Sequence, residues 1–248
     1  FSFRDGELFY RDQGEGPLLI ILPGNTASSA LHLGELASFS QRYQAVALDL
    51  PGTGRSTRLD RWPDDWWHQG ARAASALMDH LSEREAIVMG TSGGGVIALM
   101  MAQDASDRVR AVVADSCVVR QPPDVLRAEV SSRRERHPED VAFWQHAHGD
   151  DWELVIEADS ELLLRLAERD ERWFEEGLSG IECPVLLTGS LQDSLLHDGP
   201  AQMAEMAREI PESELVLING GDHPLMWSRP DQFRWIVHSF LADLEERG

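Results

Sequence analysis

Six short runs of almost continuous apolar residues set the narrowest limit on how this chain can fold. They are Leu18 to Leu22, Ala45 to Leu48, Ala86 to Met89, Val109 to Ala114, Val185 to Thr188 and Leu215 to Ile218. A strand with one face in water alternates apolar and polar positions. Runs that are apolar on both parities therefore belong to strands covered on both faces, as in a parallel sheet flanked by helices. Segments of helical period separate them: Ser29 to Phe39, Pro63 to Leu81, Gly93 to Gln103, Ala201 to Glu209 and Pro230 to Glu246. The alternation predicts an α/β class chain with a mostly parallel, doubly wound sheet, and Glu7 to Arg11 reads as an extra hairpin strand at the edge.

One interval breaks the rhythm. From about Val118 to Ser179 there is no strand-like run. Arg and Glu are frequent, and apolar residues recur four apart, as in Leu126 and Val130 or Leu162 and Leu166. The interval is far longer than an ordinary connection. The expected organisation is a core of residues 1–117 and 180–248, with a helical cap inserted at 118–179.

Charge and composition remove several classes of partner and chemistry. The 43 acidic residues outweigh 22 basic ones, for a formal net charge of −21. Such a field repels phosphate backbones and anionic lipid, so neither nucleic acid nor membrane is an expected partner. Every basic residue is Arg, which excludes a lysine Schiff base and a lysine-dependent phosphate loop. No apolar run approaches the roughly 20 residues that span a bilayer. Phe1-Ser2-Phe3-Arg4 lacks the basic-then-apolar layout of a secretory signal, so a cytoplasmic location is expected. The absence of Met at position 1 leaves a trimmed leader open. Cys117 and Cys183 are too few for a disulfide scaffold and read as buried thiols. His146-Ala147-His148-Gly149-Asp150-Asp151 lacks the rest of a ligand set and reads as a solvated cap loop, so no metal is expected. Nothing in the sequence specifies an oligomeric state.

The chemistry starts at Gly90-Thr91-Ser92-Gly93-Gly94, directly after the apolar run ending at Met89 and before the helical Val96-Ile97-Ala98-Leu99. This is G-x-S-x-G in the strand-turn-helix context that the motif needs. A nucleophile on so sharp a turn requires small neighbours, which Gly90 and Gly94 supply. The turn also puts Ser92 at a helix N-terminus, where free N–H groups favour developing negative charge.

With that elbow the chain resembles the α/β-hydrolase superfamily, in its serine-nucleophile branch with a helical cap. Four further segments carry the resemblance, in the family's order. Leu22-Pro23-Gly24-Asn25 sits where the family places its first oxyanion loop, with Pro23 in place of the usual His. Asp49-Leu50-Pro51-Gly52-Thr53-Gly54-Arg55-Ser56 matches D-x-x-G-x-G-x-S. Thr188-Gly189-Ser190-Leu191-Gln192-Asp193 is similar to the strand end that bears the catalytic acid. Gly221-Asp222-His223-Pro224 looks like the histidine loop before the last helix.

The resemblance implies a triad of Ser92, Asp193 and His223, with the backbone N–H groups of Asn25 and Gly93 as the oxyanion hole. His223 would take the serine proton during attack, and Asp193 would hold the imidazole in the required tautomer. Asp115 also follows a strand-like run and stays open as the alternative acid, whereas Asp222 is expected to point away from the base. An Asn at position 25 resembles haloalkane dehalogenases, but those enzymes use an aspartate nucleophile where this chain has Ser92. Trp144, Trp152, Trp173 and Met226 are candidates to shape the substrate pocket. Trp62, Trp66 and Trp67 cluster after the Gly-rich turn and could line an entrance, but at least two of them are expected simply to pack.

The implied activity is hydrolysis of a small ester, lactone or thioester through an acyl-serine, without a cofactor and with a small acyl compound as the partner. The chain is similar to small bacterial esterases and to valacyclovir-hydrolase-like enzymes. The latter carry an acidic residue where this chain has Gly93. Hydrolysis of a carbon–carbon bond with the same triad, and ligand reception on the same fold, are the alternatives.

Overall fold

The computed structural model describes residues 1–170 and 172–247. The expected cap and core ranges also include Glu171 and Gly248, which lie outside the described residues. The elements run in the order β1 (Ser2–Phe3), β2 (Gly6–Glu7), β3 (Tyr10–Gln13), β4 (Leu18–Leu22), α1 (Leu33–Phe39), β5 (Gln44–Leu48), α2 (Trp66–Leu81), β6 (Ala86–Thr91), α3 (Gly93–Asp104) and β7 (Val109–Asp115). Then come α4 (Pro123–Arg134), α5 (Pro138–His148), α6 (Trp152–Arg169), β8 (Val185–Ser190), α7 (Gly199–Glu209), β9 (Ser213–Ile218), α8 (Leu225–Ser228) and α9 (Pro230–Arg247).

All six apolar runs are strands of one seven-stranded sheet, ordered β3-β5-β4-β6-β7-β8-β9. Only β3 runs antiparallel to its neighbour. The consecutive apolarity has the expected cause. Alternate residues of a strand enter different cores: Leu18, Ile20 and Leu22 pack with α2 and α3 on one face, Leu19 and Ile21 with α1 and α9 on the other. At the N-terminal edge the hairpin and the edge strand, expected as one strand, are two. Gly6–Glu7 pairs with Ser2–Phe3 in a separate hairpin, and the main sheet is joined only from Tyr10. The break comes where Phe9 donates its N–H to Ser56 Oγ (3.0 Å) instead of to a neighbouring strand.

From β4 the chain steps to β5 on one side and then returns to β6 on the other. Doubly wound sheets bind ligands at the crevice beyond the carboxyl ends of such a pair. Between β7 and β8 lie α4, α5 and α6, with no strand among the described residues. Their apolar stripe, including Leu126, Val130, Leu162 and Leu166, joins the core beneath α2 and α3.

The 146–151 stretch is not a solvated loop throughout. His148 ends α5 and is buried; its Nδ1 accepts from Gly54 N–H (3.0 Å) and its Nε2 donates to the Thr26 carbonyl (3.0 Å). Burial, aided by the nearby Arg58 guanidinium, pushes its pKa down to about 4, so the ring is neutral and pins the end of α5 to two core loops. Among the described residues no helix is long and apolar enough to cross a membrane.

Candidate active site

Ser92 stands alone between the last residue of β6 and the first of α3, at φ 54° and ψ −124°. A non-glycine residue held there costs on the order of 1–3 kcal/mol and persists only where its surroundings impose it. Here the Ser92 N–H donates to the Asp115 carbonyl (2.8 Å) and the Ser92 carbonyl accepts from Gly95 N–H (2.9 Å). The flanking glycines are steric necessities. A Cβ on Gly90 would strike the Gly94 carbonyl, and one on Gly94 would strike that of Leu22.

Two loops at the same sheet edge bring the partners. His223 follows β9, and its Nε2 lies 3.0 Å from Ser92 Oγ. Asp193 follows β8, and its Oδ2 lies 2.8 Å from His223 Nδ1. A carboxylate only accepts, so Nδ1 carries the ring proton and Nε2 is left to accept from the serine. The Asp193 side chain is 1% exposed, and its Oδ1 is held by the N–H groups of Leu195 (3.0 Å) and Leu196 (3.1 Å).

The structure thus places Asp193, and not Asp115, against the imidazole. Asp115 is fully buried at the end of β7. It accepts from Thr91 Oγ1 (2.9 Å), Thr188 Oγ1 (2.8 Å) and Met226 N–H (3.1 Å). Burial, only partly offset by these bonds, pushes its pKa up to about 6. Asp222 turns toward the acid loop, accepting from Ser194 N–H (3.0 Å) and Ser194 Oγ (2.7 Å), and so ties that loop to the histidine loop.

The loop after β4 passes beside the nucleophile, with Gly24 close to the Ser92 side chain. The Asn25 amide is engaged at both ends: Nδ2 donates to Asp159 Oδ1 (2.8 Å) and Oδ1 accepts from Trp67 Nε1 (3.2 Å). The backbone N–H groups of Asn25 and Gly93 have no acceptor among the described residues. A Cβ on Gly93 would collide with Asn25 Oδ1, so glycine there is what admits the Asn25–Trp67 pair.

A cavity of about 600 Å³ opens over Ser92 and His223, walled largely by aromatic and aliphatic side chains. Trp144 and Trp173 line it. Trp152 and Met226, expected there, do not. Trp152 stacks behind Trp144 (centroids 5.4 Å apart), and Met226 is buried in the core shared with α9 because its N–H is drawn to Asp115. Trp62 and Trp66 stack on each other (4.3 Å) within the core, whereas Trp67 reaches the site. Trp67 is the member of that tryptophan trio left free to line an entrance, whereas sequence reasoning missed Phe143, Trp227 and Arg133 as lining residues, and the wholly buried Asp159 behind them. Arg133 is ion-paired with both Asp159 and Glu129. No local pattern marks these positions, since helix packing alone brings them to the cavity.

The arrangement supplies a hydroxyl, a base able to take its proton, and a buried carboxylate to orient that base. Comparison with known proteins bears on the fold that carries these residues. The alpha/beta hydrolase fold family matches residues 17–149. Haloalkane dehalogenase 2 of Mycobacterium tuberculosis is 32% identical over 136 residues, 54% of this chain and 46% of that protein, so the chain spans about half of that relative. Serine hydrolase BPHL of Mus musculus is 27% identical over 253 residues, covering 94% of this chain and 82% of that protein. Among solved structures, the enol-lactonase from Burkholderia xenovorans LB400 superposes with a TM-score of 0.77 at 22% identity, over 96% of this chain and 98% of that one. At that identity the likeness speaks for the fold.

Proposed function

The chain belongs to the alpha/beta hydrolase fold family, and we propose that it is a hydrolase that cleaves a small ester, lactone or thioester through an acyl-serine on Ser92. The observation that carries this reading is the unbroken hydrogen-bonded chain from Ser92 Oγ through His223 to Asp193, set on a strained elbow.

In the proposed reaction Ser92 Oγ attacks the acyl carbon as its proton passes to His223 Nε2. Asp193 stabilises the resulting imidazolium. The oxyanion receives the N–H groups of Gly93 and Asn25, each worth about 3 kcal/mol where such donors have been removed. Collapse expels the alcohol or thiol, which takes the proton from His223. Water, activated by the same histidine, then releases the acid and restores Ser92. No step calls for a metal or an organic cofactor, and the partner is the small acyl substrate itself. The cavity volume falls within the range of small-molecule sites.

Two observations favour this over dehalogenation, despite the dehalogenase relative. The nucleophile position holds Ser92. The Asn25 amide, which the resemblance would assign to halide, is already bonded to Asp159 and Trp67. Turnover of p-nitrophenyl esters of increasing acyl length, alongside a small lactone, tests the reading. The expected result is hydrolysis that is best with short acyl groups. A folded protein that hydrolyses none of them would exclude it.

A further inference from the structure

The loop beside Ser92 is held mainly from the cap. Among the described residues, residues 23–28 make one backbone hydrogen bond with each other, Ala27 N–H to the Gly24 carbonyl (3.1 Å). Three bonds tie them to α5 and α6. Asn25 Nδ2 donates to Asp159 Oδ1 (2.8 Å), the Thr26 carbonyl accepts from His148 Nε2 (3.0 Å), and Ser28 Oγ donates to the Ala147 carbonyl (2.7 Å). From the core side, Trp67 Nε1 takes the other end of the Asn25 amide (3.2 Å). An amide bonded at both nitrogen and oxygen is held about its last torsion, which limits how far its Cα and the adjoining peptide can move.

Asp159 has no part in the proton path, yet it is wholly buried. A carboxylate in that setting requires a counter-ion and full hydrogen bonding. Arg133 supplies the charge to its second oxygen and is itself shared with Glu129. The first oxygen is given to Asn25.

We propose that Asp159 is a positioning residue that sets the Asn25 backbone donor from the cap, with Arg133 as the counter-ion that keeps Asp159 oriented. The inference rests on the serine-hydrolase reading above. On this account the seating of the cap governs the rate of the chemical step as well as substrate binding. Displacing an oxyanion donor removes an interaction made chiefly in the transition state and leaves the ground state little changed.

The test pairs the double variant Asp159→Leu/Arg133→Met, which leaves no buried member of the ion pair without its partner, with the single variant Asp159→Asn. In the double variant kcat for a short p-nitrophenyl ester should fall on the order of 10- to 100-fold while KM stays within about threefold. The inhibition constant of a trifluoromethyl ketone, whose serine adduct carries an oxyanion, should rise by the same factor as kcat falls. Amide deuterium uptake in residues 23–28 should increase. Asp159→Asn, which retains an oxygen for Asn25, should lose less on every readout.

A folded double variant with unchanged kcat and ketone inhibition, or with its loss confined to KM, overturns the proposal. If neither variant folds, Asn25→Ala decides. It keeps the backbone donor and the Asp159–Arg133 pair, and normal kcat and ketone affinity there overturn the proposal equally. A wild type that turns over no ester and forms no ketone adduct instead fails the serine-hydrolase reading, and deuterium uptake in residues 23–28 then decides by itself whether the cap holds the loop.

Discussion

A side chain at position 93 would push Asn25 off its bond with Trp67, so the smallest residue beside the nucleophile is set by a neighbour from a different loop. Gly93→Ala should therefore cost about 1–3 kcal/mol of stability, as other overpacked sites do, and lower kcat with it. Urea unfolding and ester turnover measure both, and a fully stable, fully active variant would contradict the packing account. The two candidate acids separate at the same scale. Asp193→Asn leaves the histidine without its tautomer lock and should lower kcat by about 10⁴. Asp115→Asn, at a residue bonded to Thr91, Thr188 and Met226 and not to the imidazole, should lower it far less. Equal losses would mean that the proton relay has been misassigned. The sequence favoured Asp193 through the family resemblance but left Asp115 open, because both follow apolar runs. The distinction lies in where each strand ends: Asp115 is still within β7 and paired across the sheet, while Asp193 lies three residues beyond β8 on a loop.

Among the elements, β4 to β8 were readable because burial on both faces writes itself into consecutive residues, and β9, at the sheet edge, because both its faces are still half-covered. The helices of the insertion were readable as helices but not in their packing. Trp144 and Trp152 are alike in the sequence, yet only one reaches the cavity. His148 looked like part of a solvated loop because nothing nearby in the sequence reveals its long-range partners, Gly54 and Thr26. Those contacts give α5 a pH dependence of definite sign. The folded-state pKa of His148 is about 4 against an ordinary 6.5, so as pH falls through this window the unfolded chain takes up a proton that the folded one resists. Stability supplied by neutral His148 is present above pH 6.5 and lost toward pH 4. The gap in stability between wild type and His148→Gln should therefore widen in favour of wild type by about 2–3 kcal/mol from pH 4.5 to 7. Asp115 carries the opposite sign. Its pKa is about 6 when folded against 3.8 ordinarily, so its burial costs more as pH rises between those values. Asp115→Asn should gain on wild type by about 2 kcal/mol over the same range. Denaturant melts at the two pH values check both. Slopes of the same sign in the two comparisons would contradict the burial assignments.

For the molecule as a whole, a formal charge of −21 over 248 residues implies self-repulsion that salt relieves. The melting temperature should rise as NaCl increases from about 0.02 to about 0.5 M, where the screening length shortens severalfold. A fall would mean that the surface ion pairs, such as Arg58–Asp151, outweigh the net repulsion. At this scale the fold and the meeting of the three residues proposed as a triad were legible together, because each follows a strand of the main sheet. The cap's grip on residues 23–28 was not, since Asp159, His148 and Asn25 meet only once three helices have docked over the sheet edge. The central claim is that Ser92 forms a covalent acyl intermediate. Its most direct test is acid-quenched mixing with a p-nitrophenyl ester, followed by intact-protein and peptide mass analysis of wild type and Ser92→Ala. One acyl group on the peptide containing Ser92 in wild type, with no adduct and at least about a thousandfold slower turnover in the variant, is the predicted result. Acylation at another residue, or a variant that turns over at the wild-type rate, would contradict it.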